Sequence, residues 1–266
     1  MPEFTAVSRE RHAGKAWRHY TSYAFAAGDA VLPLAASELV QAVMGMPVAF
    51  VQQDGGYVLM AVLSLTPGRN LFVAPDGRWM GEYVPMGLRG YPFRLLRPEG
   101  RDESILCVDE SSGLLFDAGH NEAFFTAEGV LGDTLKQMLD FLGHLERSRS
   151  LTDQAVAALA EAGVIEPWTL TLNSSGTSTP VTGLHRIAED RFNALDDEAV
   201  LTLRRAGALP IAYMQMLSMQ QTKILKRLTE IHEQHARAEA ARAEAAKVAT
   251  FNANLGLLSD DIRLVF

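Results

Sequence analysis

Apolar positions along this chain change their period. From Val48 they fall in strand-like runs, VAFVQQ and YVLMAVLSL, separated by Gly55-Gly56 and followed by Pro67-Gly68. Residues 70–93, NLFVAPDGRWMGEYVPMGLRGYPF, carry the densest turn chemistry. Residues 70–74 can extend, Pro75-Asp76-Gly77 supplies a turn, and residues 79–84 return as a strand rich in aromatic side chains. Residues 93–96 and 104–108 continue the meander across a polar turn, so an antiparallel sheet is expected over about residues 47–108.

Past residue 126 the period lengthens. Leu131, Leu135, Met138, Leu139, Leu142 and Leu145 recur three and four apart, the spacing of an amphipathic helix. Residues 153–162 predict a second, alanine-rich helix, capped by Thr152 or its neighbour and stopped by Gly163. A strand over 168–172, a turn over 173–179 and a return over 183–187 follow, then a helix over 196–205. A long helix is expected from about Pro210, with Leu217, Ile224, Leu228 and Ile231 as its seam. Its continuation, HEQHARAEAARAEAAK, is helical by propensity, with Glu233/Arg237, Glu239/Arg242 and Glu244/Lys247 at pairing distance, about 0.2–0.5 kcal/mol each. Upstream, residues 37–44 predict a short helix capped by Ser37 and stopped by Gly45 and Pro47.

These segments compose an α+β fold: a mainly antiparallel sheet in the N-terminal half, helices from the C-terminal half packed on it, and a long C-terminal helix. Residues 21–230 read as one domain because no linker divides them. Residues 1–20, with Arg9, Arg11, Lys15 and Arg18, read as an arm. Its plainer reading is a solvated segment whose Trp17 and Tyr20 pack on the body. Residues 231–266 read as a projecting helix with an apolar tail that docks on its own body or on a second copy.

Composition narrows the function. Apolar residues at 48% and charged residues at 21% are ordinary for a folded globular chain. A formal charge of −8 argues against a nucleic-acid partner. The single cysteine, Cys107, excludes an intramolecular disulfide and a cysteine-based zinc site. The first twenty residues lack the apolar region of a signal peptide, so cytoplasmic placement is expected, with export through the C-terminal tail as the alternative. Apolar windows are broken by Asp29, Pro33, Glu38 and Pro47, and no membrane insertion is expected.

The blocks LFVAPDGRWMGEYVPMGLRGYPF, ILCVDE, LFD at residues 115–117, and GLHRIAEDRFNALDDEAVLTLRRAGALPIAYMQMLSMQQ resemble the SapC family of bacterial proteins. They occur in the family's order over about residues 20–230. His185 and Ala188 depart from it, where the family often carries an aromatic residue and an aspartate. The resemblance implies an association with surface layers and supplies no catalytic residues, so none are assigned.

Candidate chemistry is sparse. His232 and His235 stand three apart, not the four of a metalloprotease helix, and read as a solvated face. Cys107 precedes Asp109 and Glu110, which oppose a thiolate, and reads as core. Asp109, Glu110, Asp117 and Glu122 would make a cation or acid/base site only if the fold converged them. No glycine-rich phosphate loop occurs. No catalytic, metal or cofactor-binding residue is therefore expected.

The aromatic stretch is the best binding candidate. On a strand, Trp79 and Tyr83 would share a face with Gly81 between them, leaving a slot for a peptide, an extended strand or an aromatic ligand. Arg89 and Arg94 lie near enough to meet a carboxylate, and Tyr91 and Phe93 extend the apolar area. The plainer reading has these rings roof the core. The expected function is a non-enzymatic binding or assembly protein with a protein or peptide partner, and a homo-oligomer through the C-terminal arm. The alternative is an enzyme, or an accessory to one, that holds an aromatic substrate near Trp79.

Overall fold

A computed structural model of the chain describes residues 3–98, 100, 103–117, 119, 121–174 and 177–260. The first stretch holds β1 (Phe4–Ala6), α1 (Arg9–His12), β2 (Lys15–Trp17), β3 (Val31–Pro33), α2 (Leu39–Gly45), β4 (Val48–Gln53) and β5 (Gly56–Val62). The middle holds α3 (Met86–Arg89), β6 (Phe93–Leu96), β7 (Ile105–Asp109), β8 (Leu115–Asp117), β9 (Glu122–Ala123) and α4 (Asp133–Glu161). The rest is β10 (Ile165–Pro167), β11 (Leu170–Ser174), β12 (Thr177–Val181), β13 (Leu184–Ile187), α5 (Glu189–Asn193), α6 (Asp197–Arg205), α7 (Ala208–Ser218) and α8 (Thr222–Asp260).

The fold is α+β, with antiparallel pairing in every sheet described. A five-stranded sheet runs β10-β13-β4-β5-β3, and two three-stranded sheets run β1-β7-β6 and β8-β2-β9. A two-stranded ribbon joins β11 to β12. The expected single meander is thus divided: β4 and β5 stay together, while β6 and β7 pair with the N-terminal β1. The β4–β5 turn centres on Asp54 and Gly55, whose φ values of 48° and 82° suit a two-residue hairpin. Gly56 already pairs with Gln53, one residue earlier than the Gly55-Gly56 turn predicts. Leu59, Met60, Ala61, Val62 and Leu63 are all buried, so both faces of β5 are covered.

Residues 3–20 are not a free arm. β1 completes one sheet and β2 is the centre of another, with Trp17 wholly buried against Phe93. Two of its basic residues form surface ion pairs within the chain, Arg11 with Glu110 and Lys15 with Asp117. Trp17, Phe93, Leu106, Val108, Phe124, Leu135 and Leu142 form one core cluster between these sheets and α4.

Two predicted helices prove to be one. α4 runs 29 residues through Thr152, whose hydroxyl donates to Ser148 O at 2.7 Å and accepts from Ala36 N at 2.8 Å. The hydroxyl that suggests a cap is satisfied within its own helix and across to the neighbouring loop, so no break is needed. Conversely, the helix expected from Pro210 is interrupted by a 3₁₀ turn at Met219–Gln221. The helix expected over 196–205 begins one residue later, at Asp197, with Asp196 as its cap, the carboxylate accepting from Ala199 N at 2.8 Å. The predicted turn over 173–179 includes Ser175 and Gly176, which lie outside the described residues, and residues 177–179 belong to β12.

β13 pairs with β4 only at Leu184 and His185. Where the ladder stops, the fully buried Gln215 of α7 replaces it: Oε1 accepts from Ile187 N at 2.9 Å and Nε2 donates to Val48 O at 3.1 Å. Ser218 accepts from Val48 N at 3.0 Å and donates to Gln215 O at 2.6 Å. A helix is thereby bonded to two diverging strands.

Contacts divide the chain into two compact units, Met1–Leu225 and Lys226–Phe266, in place of a boundary at 230. The second is helical through Asp260, and residues 233–251 are exposed. No helix among the described residues is long and apolar enough to cross a membrane.

Gln215→Leu keeps the volume and removes both amide bonds, stranding Ile187 N in the core. A loss of about 1–3 kcal/mol is expected, read as a lower urea midpoint.

Candidate functional site

The expected strand over 79–84 does not form. Leu71, Phe72, Val73 and Ala74 are all buried in succession, so the stretch lacks the alternation of a half-exposed strand. Only Val73 and Trp79 bridge, with Gly77 closing the turn at φ 83°. Asn70 fixes this loop from beneath: Nδ2 donates to Ala26 O at 3.0 Å and Oδ1 accepts from Phe72 N at 2.9 Å.

A second loop lies against it. Tyr23 N donates to Gly77 O at 2.7 Å and Asn70 N to Ala27 O at 2.8 Å. A side chain at Gly77 would strike Ser22 Oγ. These bonds bring Tyr20, Tyr23 and Phe25 to Trp79 and Tyr91. Phe25 stacks on Tyr91 with centroids 3.8 Å apart and planes 7° from parallel. Tyr20 meets Phe25 edge-on at 5.1 Å and Tyr23 at 5.2 Å, and Tyr23 lies 5.5 Å from Trp79. All five rings are partly exposed.

Tyr83 and Tyr91 are held by their hydroxyls. Tyr83 donates to Glu38 Oε2 at 3.0 Å, and the same carboxylate accepts from Met86 N at 2.8 Å and, through Oε1, from Ala35 N at 3.1 Å. Glu38 is 0% exposed, a buried acid satisfied by three donors. Tyr91 donates to Asp109 Oδ2 at 3.0 Å. Asp109 Oδ1 accepts from Ser111 Oγ at 2.6 Å and from Glu3 N at 3.0 Å. Burial pushes the Asp109 carboxyl up, but these bonds outweigh it and hold it below the usual carboxylate range. Burial raises Tyr91 and Tyr83 too, Tyr91 to about 12, with the Asp109 bond adding to it; Tyr83 rises further, aided by Glu38.

Of the five expected binding residues, four come together. Trp79 and Tyr91 join through Tyr23 and Phe25. Tyr83 joins through its carbonyl, which accepts from Trp79 Nε1 at 2.8 Å, and Arg89 lies 4.9 Å over the Tyr83 ring. Phe93 does not; it is 1% exposed in the core. Arg94 lies over Phe4 instead. The expected slot between Trp79 and Tyr83 is closed, because Phe72 stacks on Trp79 and a Cβ at Gly81 would lie 2.9 Å from both rings.

The other candidates stay apart. Glu110 pairs with Arg11, Asp117 with Lys15, and Glu122 accepts from Thr134 at 2.7 Å. A cleft of about 610 Å³ bordered by Arg11, Lys15, Glu110 and Asp117 is lined by charges already paired with one another. Cys107 is buried, which pushes its thiol up. Among the described residues no three histidine, cysteine or acidic side chains cluster as for a metal.

A tyrosine whose folded pKa exceeds its unfolded value of about 10 adds stability that is complete below that pH and lost as pH rises through the folded value. Stability is therefore expected to fall above about pH 10, and less steeply in Tyr91→Phe, in urea titrations across that range. Glu38→Ala strands three donors and is expected to cost about 2–4 kcal/mol in the same assay.

Comparison with known proteins adds one result. The SapC family model matches residues 7–228, a span that includes the aromatic loops, Glu38 and Gln215. No curated protein matches the chain, and no solved structure does. With most of its length matched, the chain belongs to the SapC family.

Proposed function

We propose that this protein is a non-enzymatic binding protein whose aromatic face takes an extended, proline-rich peptide. The observation that carries the reading is the set of partly exposed rings, Tyr20, Tyr23, Phe25, Trp79 and Tyr91, packed edge-on, tilted and stacked on one another, with Trp79 and Tyr91 also held by hydrogen bonds from behind. Rings fixed before binding lose little entropy on contact. The Tyr91 hydroxyl and the carboxylates of Glu38 and Asp109 are engaged within the fold, so what the face chiefly offers is ring surface.

That chemistry suits a polyproline helix, which has no internal hydrogen bonds and docks between aromatic rings. The loops at the face offer no ladder to an added strand. Arg89, exposed beside Tyr83, favours an acidic residue flanking the prolines. Placement of such a peptide partner at a surface layer or envelope belongs to the same proposal. Self-association through α8 is its second part, supported by the exposed Val248 and Phe251, three apart on a polar stretch.

Titration of the full chain with a proline-rich peptide carrying one glutamate is expected to give micromolar affinity, about −8 kcal/mol. Tyr23→Ala and Trp79→Ala should each weaken it about tenfold or more at unchanged fold. No binding, or equal binding of a scrambled alanine peptide, would contradict the face as a peptide site. Light scattering after size exclusion checks the second part: a dimer lost in Phe251→Glu supports it, and a monomer at all concentrations refutes it.

A further inference from the structure

Two sheet edges approach each other without pairing. β6 is the outer strand of its three-stranded sheet and β3 the outer strand of the five-stranded one. α4 packs on β6 and on β5, the neighbour of β3, and so roofs the gap. The gap is a cleft of about 390 Å³, within the range of small-molecule sites. Its walls are Leu32 of β3, Leu95 of β6, and Leu142 and Leu145 of α4. Leu96 stands at the mouth, 41% exposed.

Three charged side chains line this apolar trough, and only one is neutralised. Glu146 Oε1 accepts from Ser104 Oγ at 2.6 Å and from Arg97 Nη2 at 3.3 Å. Among the described residues Arg149 has a single bond, from Nη2 to Pro33 O at 3.4 Å, and its Nε is buried without a hydrogen-bond partner. A Cβ at Gly87 would lie 2.7 Å from Arg149 Nη2, so glycine is what leaves the guanidinium its place in the wall. Arg94, the third, is exposed and close enough to repel Arg149. Glu38 and Asp153 attract Arg149, and Asp29 feels Arg94, yet among the described residues none of these acids is within ion-pair distance of them. A buried donor left open beside a second cation is costly unless an anion reaches it.

The edges themselves decide what kind of molecule enters. β3 has three residues, Pro33 has no N–H, and its carbonyl already accepts from Arg149. A further strand would find almost no ladder there. We propose that the cleft binds a small amphipathic carboxylate, its hydrocarbon chain against Leu32, Leu95, Leu142 and Leu145 and its head group on the guanidinium groups of Arg149 and Arg94. The site uses none of the rings of the aromatic face, and the two ligands are chemically distinct.

Calorimetric titration of the full chain with sodium decanoate, decan-1-ol and sodium acetate tests this. Decanoate is expected to bind, the alcohol about tenfold or more weakly, and acetate not at all. Arg94→Gln, a surface change, should remove most of the preference for decanoate over the alcohol while leaving proline-rich peptide binding where it was. Arg149→Gln should do the same more strongly, and if it does not fold, the Arg94→Gln result decides. Equal affinity for decanoate and the alcohol, no decanoate binding below about 1 mM, or an unchanged preference in Arg94→Gln would overturn the site. None of those results bears on the peptide face, whose readout is a different ligand.

Discussion

The buried carboxylate of Glu38 is the constraint on which the aromatic face depends. It sits at the entry to α2, is shut off from solvent, and accepts from Ala35 N, Met86 N and the Tyr83 hydroxyl. An acid in that position is tolerable only when hydrogen-bonded on every side. The need for donors draws residues 83–86 down onto the start of α2. Tyr83 then fixes Trp79 through its carbonyl, and Trp79 fixes the ring beside it. Loops that no sheet stabilises acquire one geometry in this way.

The same device recurs wherever a ladder ends. The described strands run two to seven residues, too short to tie the layers together by backbone pairing alone. Gln215 spans the divergence of β13 from β4, Asn70 closes the loop beneath the rings, and Thr152 bonds the middle of α4 to Ala36 N. Each polar side chain replaces a backbone partner that the short strands do not supply. A core built this way gains specificity from every bond and loses heavily when one partner is removed. At the junction of β3, β6 and α4 the device stops short, leaving Arg149 Nε without a partner.

Local signals in the sequence were legible. The β4–β5 hairpin, the paired β6 and β7, the short α2 and the helix over 196–205 all follow from neighbours in sequence, and the structure contains them within a residue or two. What distant contacts decide was not. Thr152 reads as a cap until Ala36 is placed beside it, and residues 1–20 read as an arm until β2 is seen at the centre of a sheet. At the candidate site, Trp79, Tyr83, Arg89 and Tyr91 stood out because they crowd one stretch. Tyr20, Tyr23 and Phe25 lie some fifty or more residues upstream, and three aromatic residues within six positions were their only signal. Phe93 looked equivalent to Tyr91, yet on β6 it turns inward to Trp17 and Phe124. Gln215, within a block shared with the family, gave no hint of its role, since a glutamine on a helix is usually solvated.

The rigidity of the aromatic face is open to one direct measurement, native-state hydrogen exchange at the amides of Ala35 and Met86. Both donate to Glu38, and neither lies within a strand. If the buried carboxylate organises the face, both amides are protected about as strongly as those of β5, and exchange only through global unfolding. Exchange of either at the rate of an open loop would contradict a face fixed before any ligand arrives.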